Sequence, residues 1–233
     1  LCIVTPFFVY KKDGRLRLIF DCRPTNRRFK APPQVYLGTG SEWAGLVLEG
    51  DDNLFVAEGD IKDYFYACGI DKALGEYFSL PPISGELLLE LGVDYLDSEA
   101  VDRYATYFPQ LAVMPMGWSW ACAFAQAAHS NMIKKFGDVR DEDFLEMGRP
   151  VPRLTGGRPR VHAYCDNLNI IGVDPARTQA LADKVIAGIE SEGFIVHERV
   201  AASEYASRIG LEITGRMGGW QQNRPGVLDS VWF

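Results

Sequence analysis

The sequence has no C-x-x-C pair, no 18-residue apolar run, no signal-peptide pattern, no internal repeat and no low-complexity segment. Its five cysteines (Cys2, Cys22, Cys68, Cys122, Cys165) are scattered, and His129, His162 and His197 are isolated. The absence of paired ligands speaks against a zinc site, and the odd, scattered cysteines against a disulfide framework. Without an apolar span the chain reads as soluble, with no membrane partner. A reduced intracellular setting, cytoplasm or nucleus, fits these cysteines. What remains is 233 residues, 47% hydrophobic, enough for one large or two small cores. The opening "LCIVTPFFVY" has no Met and reads as strand from the start, as in a fragment of a longer polyprotein.

Acidic residues outnumber basic ones, for a formal charge of −7. That balance opposes indiscriminate nucleic-acid binding. Its distribution is uneven, because Lys11, Lys12, Arg15, Arg17, Arg23, Arg27, Arg28 and Lys30 face only Asp13 and Asp21 in the first thirty residues. Such a cluster fits either a solvated basic face or a polyanion site.

"FFVYKKDGRLRLIFD" (7–21) alternates and breaks at Asp13-Gly14, which predicts a β-hairpin. Arg15, Arg17 and Ile19 share one face; Leu16, Leu18 and Phe20 form a face that can pack. Residues 24–43 read as loop, 53–60 as a strand ending in Asp60, and 61–70 as a turn or short helix. "GEYFSL" and "ATYFPQLAVMPMG" read as further strands around a polar insert at about 82–104. Residues 119–136 predict a helix with Trp120, Phe124, Ala127, Ala128, Met132 and Phe136 on its apolar stripe. "VHAYCDNLNIIGV" (161–173) predicts a hairpin with Asp166-Asn167 at its tip. Asp174-Pro175 opens a helix with Leu181, Val185 and Ile189 on one stripe and Gly193 as its stop. "FIVHERV" and "SRIGLEITG" close the pattern as two strands.

From residue 53 to 199 this order is strand, helix, strand, strand, helix, strand. It predicts an α+β fold of the ferredoxin-like split βαβ type. A crossover helix makes the second strand parallel to the first, so the 161–173 turn falls at the same end as Asp60. Asp60 and Asp166 are thereby brought to one sheet edge. Each has an ordinary alternative, a helix cap for Asp60 and turn chemistry for Asp166. Together they repel unless a cation lies between them, and oxygen ligands on a rigid edge suit Mg²⁺.

Several blocks resemble reverse transcriptases. "GDIKDYFYACGI" is similar to motif A, "MPMGWSWACAFAQAAH" to motif B, "YCDN" to the Tyr-x-Asp-Asp of motif C, and "VYKKDGRLRLIFDCRPTN" to the fingers hairpin. "SRIGLEIT" takes the place of the primer-grip strand. The resemblance covers about residues 5–215 and points toward retrotransposon-type elements. It implies a polymerase palm with an N-terminal β-hairpin fingers subdomain. Residues 1–52 would be the fingers segment. Residues 53–215 would be the palm, with a fingers insert at about 70–110 and a loop insert at about 137–160. Residues 216–233 would begin a thumb or linker.

By the same resemblance, Asp60, Asp166 and the Ile61 carbonyl would hold two Mg²⁺ ions, or Mn²⁺. Lys11, Lys12 and Arg17 would hold the triphosphate of a dNTP, and Phe65, beside Tyr64, would be the steric gate against a 2′-OH. Met116 and Gly117 would line the nucleotide pocket, Gln126 would support the template side, and Asp21 and Arg23 would be structural. The implied activity is RNA-directed DNA polymerisation on an RNA or DNA template with a primer strand. The departure is Asn167, whose neutral amide stands where the family has a second Asp. It makes activity conditional, with Asp63 and Glu58 as nearby carboxylates that could compensate. The alternative is a weakened or domesticated palm that binds nucleic acid without polymerising.

Overall fold

The computed structural model describes residues 2–11, 14–48, 52–154, 157–208, 211–214 and 220–221. The chain is a mixed α and β structure with small antiparallel sheets, and it divides into two compact units. In chain order its elements begin with β1 (Thr5–Tyr10), β2 (Leu16–Asp21), α1 (Arg23–Asn26), α2 (Gly40–Ala44), β3 (Phe55–Ile61), α3 (Tyr64–Ala67) and α4 (Lys72–Gly75). A segment of two-residue strands follows, β4 (Ile83–Ser84), β5 (Tyr95–Leu96), β6 (Glu99–Ala100) and β7 (Thr106–Tyr107), with α5 (Gly85–Glu90) among them. The rest is α6 (Ala121–Gly137), β8 (Arg160–Tyr164), β9 (Asn167–Gly172), α7 (Pro175–Ser191), β10 (Val196–Ser203), β11 (Tyr205–Arg208), β12 (Leu211–Thr214) and β13 (Trp220–Gln221). Among the described residues no helix is long and apolar enough to cross a membrane.

One unit comprises Leu1–Pro32 and Phe65–Ala121. Its β1–β2 hairpin pairs Thr5 with Asp21 through Tyr10 with Leu16. The alternation predicts a packed face, but only the base packs: Phe20 is buried while Phe8, Tyr10 and Leu16 stand exposed. Phe78 and Phe29 meet Trp118 edge-on, so that tryptophan is a core residue. "GEYFSL" is a 3₁₀ turn over Glu76–Phe78 and not a strand. In "ATYFPQLAVMPMG" only Thr106–Tyr107 is a strand. Asp71 and Ser84 cap α4 and α5 by accepting from Ala73 and Leu87 N–H groups, and these caps win over the short apolar runs.

The other unit comprises Pro33–Tyr64 and Cys122–Trp232. Its main sheet has the order β10-β3-β9-β8, with every neighbouring pair antiparallel. β8 therefore runs in the same direction as β3, with β9 between them. The expected loop before β3 contains α2, opened by a capping box in which Thr39 and Glu42 bond reciprocally. The Thr-x-x-Glu spacing carried that signal. The final "SRIGLEITG" is two paired strands, β11 and β12, where one was expected; residues 209–210 and 215–219 lie outside the described set.

Strand alternation gives this sheet two unlike faces. Ala57, Gly59, Ile61, Leu168, Ile170, Val161 and Ala163 make one face apolar, and α7 packs on β3, β9 and β10. Gly59 leaves the room that Ile186 and Val196 fill, since a Cβ there would sit 3.5 and 3.0 Å from their side chains. The opposite face carries Val56 and Ile171 in a core with Trp43, Leu46 and Leu145 at one end. Toward the other end it turns polar, through Glu58, Asn169 and His162 to Asp60, Asn167, Tyr164 and His197.

α7 begins as the sequence predicts, with Asp174 Oδ1 accepting from Ala176 and Arg177, and Gly193 follows it at φ +89°. In α6 the buried stripe differs from the expected one. Phe124, Ala127 and Ala128 are exposed, while Ala121, Cys122, Ala125, Gln126, His129, Met132 and Ile133 are buried. Apolar counting misses this because two of the inward positions are polar and bond a neighbouring turn.

Candidate metal and nucleotide site

The ladder fixes the geometry of the polar end. Asp60 is directly opposite Asn167 on β9, and His197 on β10 is opposite Asp60 on its other side. Tyr164 pairs with Asn167, so the two-residue turn is Cys165-Asp166. The expected tip was one residue late, and Asn167 is the first residue of β9. Cys165 takes φ +51°, which the two-residue connection demands of its first residue and which a non-glycine residue adopts only when held.

Several main-chain bonds hold it. Gln126 Oε1 accepts from the Cys165 N–H at 2.8 Å, and its Nε2 donates to the Ala163 carbonyl at 3.1 Å. His129 Nδ1 donates to the Cys165 carbonyl at 2.6 Å. The Asp166 carbonyl accepts from the Ile61 N–H at 2.9 Å, which ties the turn to the end of β3. Gln126, predicted to support the template side, is buried and clamps the turn here. Replacing it with Leu leaves a buried N–H and carbonyl without their partner. A loss of about 2 kcal/mol is expected, read as a lower urea midpoint with faster amide exchange at Cys165. An unchanged midpoint would rule out the clamp.

The carboxylates have their own contacts. Asp60 Oδ1 lies 3.1 Å from His197 Nε2, and Asp166 Oδ1 accepts from Asn167 Nδ2 at 2.9 Å. His197 is isolated in the sequence. Its signal was topological: a strand beside β3 that runs against it puts His197 across from Asp60. Ile61 is buried between Asp60 and the turn's hydrogen bond. Asp63 is exposed at φ +49°, whereas Glu58 is buried farther along the same strand face as Asp60. Tyr64 is buried, its hydroxyl donating to the Ala125 carbonyl at 3.0 Å and its ring against His129 and Phe194.

Three titration shifts mark the turn. Burial pulls His129 down to about 4, against its bond to the Cys165 carbonyl. The hydrogen bond from Cys165 lowers the Cys122 thiol, and the same contact, with burial, raises Cys165.

Asp60, Ile61, Asp63, Tyr64, Gln126, Asp166 and Asn167 thus belong to one unit. Lys11, Arg17, Phe65, Met116 and Gly117 belong to the other. Arg17 is exposed on β2 opposite Val9, and Phe65 is half-buried in α3. Lys12 lies outside the described residues. Asp21 is gripped by the Arg23 guanidinium at 2.8 and 2.6 Å, which brings its pKa down to about 2. Among the described residues no group of three or more His, Cys, Asp or Glu side chains forms a metal-binding cluster. The donors at the polar end are the two carboxylates and the Ile61 main chain, all hard oxygens of the kind a small divalent cation takes.

No family model matches the sequence, and no curated protein does. Solved structures match the fold. A foamy viral protease–reverse transcriptase in complex with double-stranded DNA superposes with TM-score 0.61 at 14% identity, over 91% of this chain and 30% of that one. The native prototype foamy virus protease–reverse transcriptase gives TM-score 0.59 at 16% identity, over 92% of this chain and 23% of that one. Its selenomethionine-labelled CSH mutant gives 0.58 at 15%, over 95% and 23%. The fold is reverse transcriptase-like. The chain spans less than a third of the length of these solved proteins.

Proposed function

We propose that this chain is the palm and fingers core of an RNA-directed DNA polymerase of retrotransposon type. The main sheet would be the palm in its split βαβ form, and the β1–β2 hairpin the fingers. One observation carries the reading: Asp60 and Asp166, 106 positions apart in sequence, lie at the same polar end of one sheet in a reverse transcriptase-like fold. The reaction is attack of a primer 3′-OH on the α-phosphate of a dNTP, with pyrophosphate leaving.

Asp60, Asp166 and the Ile61 carbonyl would hold two Mg²⁺ ions, which supply charge neutralisation for the attacking and leaving oxygens. Asp166 is presented by a turn that Gln126 and His129 hold rigid, and Asp60 by a central strand. That preorganisation is what positioning catalysis needs. Lys11, Lys12 and Arg17 would bind the triphosphate, Phe65 would exclude a ribose 2′-OH, and the template and primer would be nucleic acid.

Primer extension on an RNA template with dNTPs tests the reading, using the full product of the reading frame. Asp60→Ala and Asp166→Ala should each lower the rate by at least about 10²–10³-fold, the scale for removing a charge-stabilising group. No extension by the wild type in Mg²⁺ or Mn²⁺ sinks it.

The second reading is a palm that binds nucleic acid without chemistry. Asn167 favours it, since its amide occupies Asp166. Such a protein would show salt-dependent binding and no turnover. Asn167→Asp separates the cases further. It places a carboxylate opposite Asp60 and beside Asp166, so without metal it should cost up to about 1 kcal/mol. Mg²⁺ should restore that loss and bind more tightly in calorimetry. An Asp variant that neither binds Mg²⁺ better nor extends faster shows that the amide costs nothing.

A further inference from the structure

Cys122 and Cys165 sit 43 positions apart in sequence with their sulfurs 3.6 Å apart, both buried. Neither Cys122 nor Cys165 is in a disulfide. Cys122 is the second residue of the 17-residue α6, and Cys165 is the first residue of the turn that presents Asp166. We propose that this pair is a reversible oxidative modification site, closing to a disulfide with a small peroxide.

The chemistry is apportioned by position. A cysteine in the first turn of a long helix is favoured as thiolate by the unpaired N–H groups and the dipole there. Cys122 is that residue, and its contact with the Cys165 sulfur lowers its pKa in the same direction. The thiolate attacks hydrogen peroxide, takes one oxygen and releases hydroxide, giving a sulfenic acid at Cys122. Cys165 sulfur then displaces that oxygen. The sulfur–sulfur bond forms, the sulfur–oxygen bond breaks, and the Cys165 proton leaves with the oxygen as water. Two thiols and one peroxide thus become one disulfide and two waters. Burial favours a small oxidant over a bulky one.

The bond has a mechanical result. Covalent sulfurs lie roughly 2.05 Å apart, so closure draws the turn toward α6. Asp166 is the next residue, and its carbonyl holds Ile61 of β3. The disulfide therefore moves the group that carries one candidate metal ligand. Formation of the bond is independent of the polymerase reading; only its effect on extension rests on that reading.

The test is peroxide treatment of the full chain, alkylation in denaturant and peptide mass spectrometry without reductant. A Cys122–Cys165 cross-linked peptide, with loss of both thiols, should form in preference to any pair involving Cys2, Cys22 or Cys68. Dithiothreitol should return both thiols. Cys165→Ser should leave a Cys122 sulfenic acid that dimedone traps, and Cys122→Ser should leave Cys165 a thiol. Failure to form the cross-link while circular dichroism is unchanged overturns the proposal. So does a cross-link that forms only in urea, or dimedone labelling that falls on Cys165.

Discussion

Lowering the pH from 7 to about 4 is expected to strip roughly 6 kcal/mol from the stability of this protein, most of it above the range where carboxylates titrate. Two histidines carry the effect. His129 and His162 are fully buried, and burial brings both down from 6.5 to about 4. Their bonds fix the neutral tautomers. His129 gives its Nδ1 proton to a carbonyl, and its Nε2 is buried without a hydrogen-bond partner. His162 gives its Nε2 proton to the Gly38 carbonyl at 3.0 Å and receives the Asn169 amide on Nδ1 at 3.1 Å. Protonation would bury a charge at each site, and Glu42 offers His162 only a small compensating attraction.

The unfolded chain binds these protons near pH 6.5, while the folded chain resists them until about 4. Stability is therefore full above pH 6.5, falls across that window, and levels off below it. Each histidine contributes roughly 3 kcal/mol, against a typical total of 5–15 kcal/mol. Urea midpoints measured from pH 7.5 to 4 should show the slope. His129→Leu should remove about half of it, whatever it does to stability at pH 7. A flat profile in the wild type would mean that both imidazoles reach water.

The second large effect is expected at Gly117. Its φ is +110°, and a Cβ would lie 2.4 Å from the Phe20 carbonyl oxygen, a main-chain atom that cannot step aside. Asn26 bridges the same place, donating to the Gly117 carbonyl at 3.0 Å and accepting from the Ser119 N–H at 2.9 Å. Gly117→Ala should cost about 3–5 kcal/mol, strain and clash together. Gly92 is the internal control. It has φ +78° with nothing within 4 Å of a Cβ, so Gly92→Ala should cost only about 1 kcal/mol. Equal midpoint shifts for the two variants would show that the Phe20 contact carries no weight. The comparison separates a fold requirement at Gly117 from any ligand contact.

Both effects illustrate what the sequence disclosed and what it concealed. The order of long elements was legible because β3, β9 and α7 bury regular apolar positions, and Asp174-Pro175 and Gly193 bracket α7. From that order alone the meeting of Asp60 and Asp166 follows. The phase of α6 was not legible. Its inward face includes Gln126 and His129, whose burial makes sense only beside a turn with peptide groups to satisfy. The tip of the 161–173 hairpin was misjudged by one position because Asp-Asn is a better local turn pair than Cys-Asp, and ladder pairing with Asp60 outweighed that preference. Between residues 68 and 116, short apolar runs looked like strands; caps and 3₁₀ turns took them instead. His197 was invisible without knowing which strand would flank β3.

Gln126, His129 and the Ile61 N–H grip the Cys165-Asp166 turn through its peptide groups, those of Ala163, Cys165 and Asp166. It works as a socket, indifferent to the part fitted into it. Side chains at 166 and 167 can be exchanged without altering the seat that holds them. Protein engineers could exchange acid for amide at this pair in either order, and compare the chemistry of each combination on one frame.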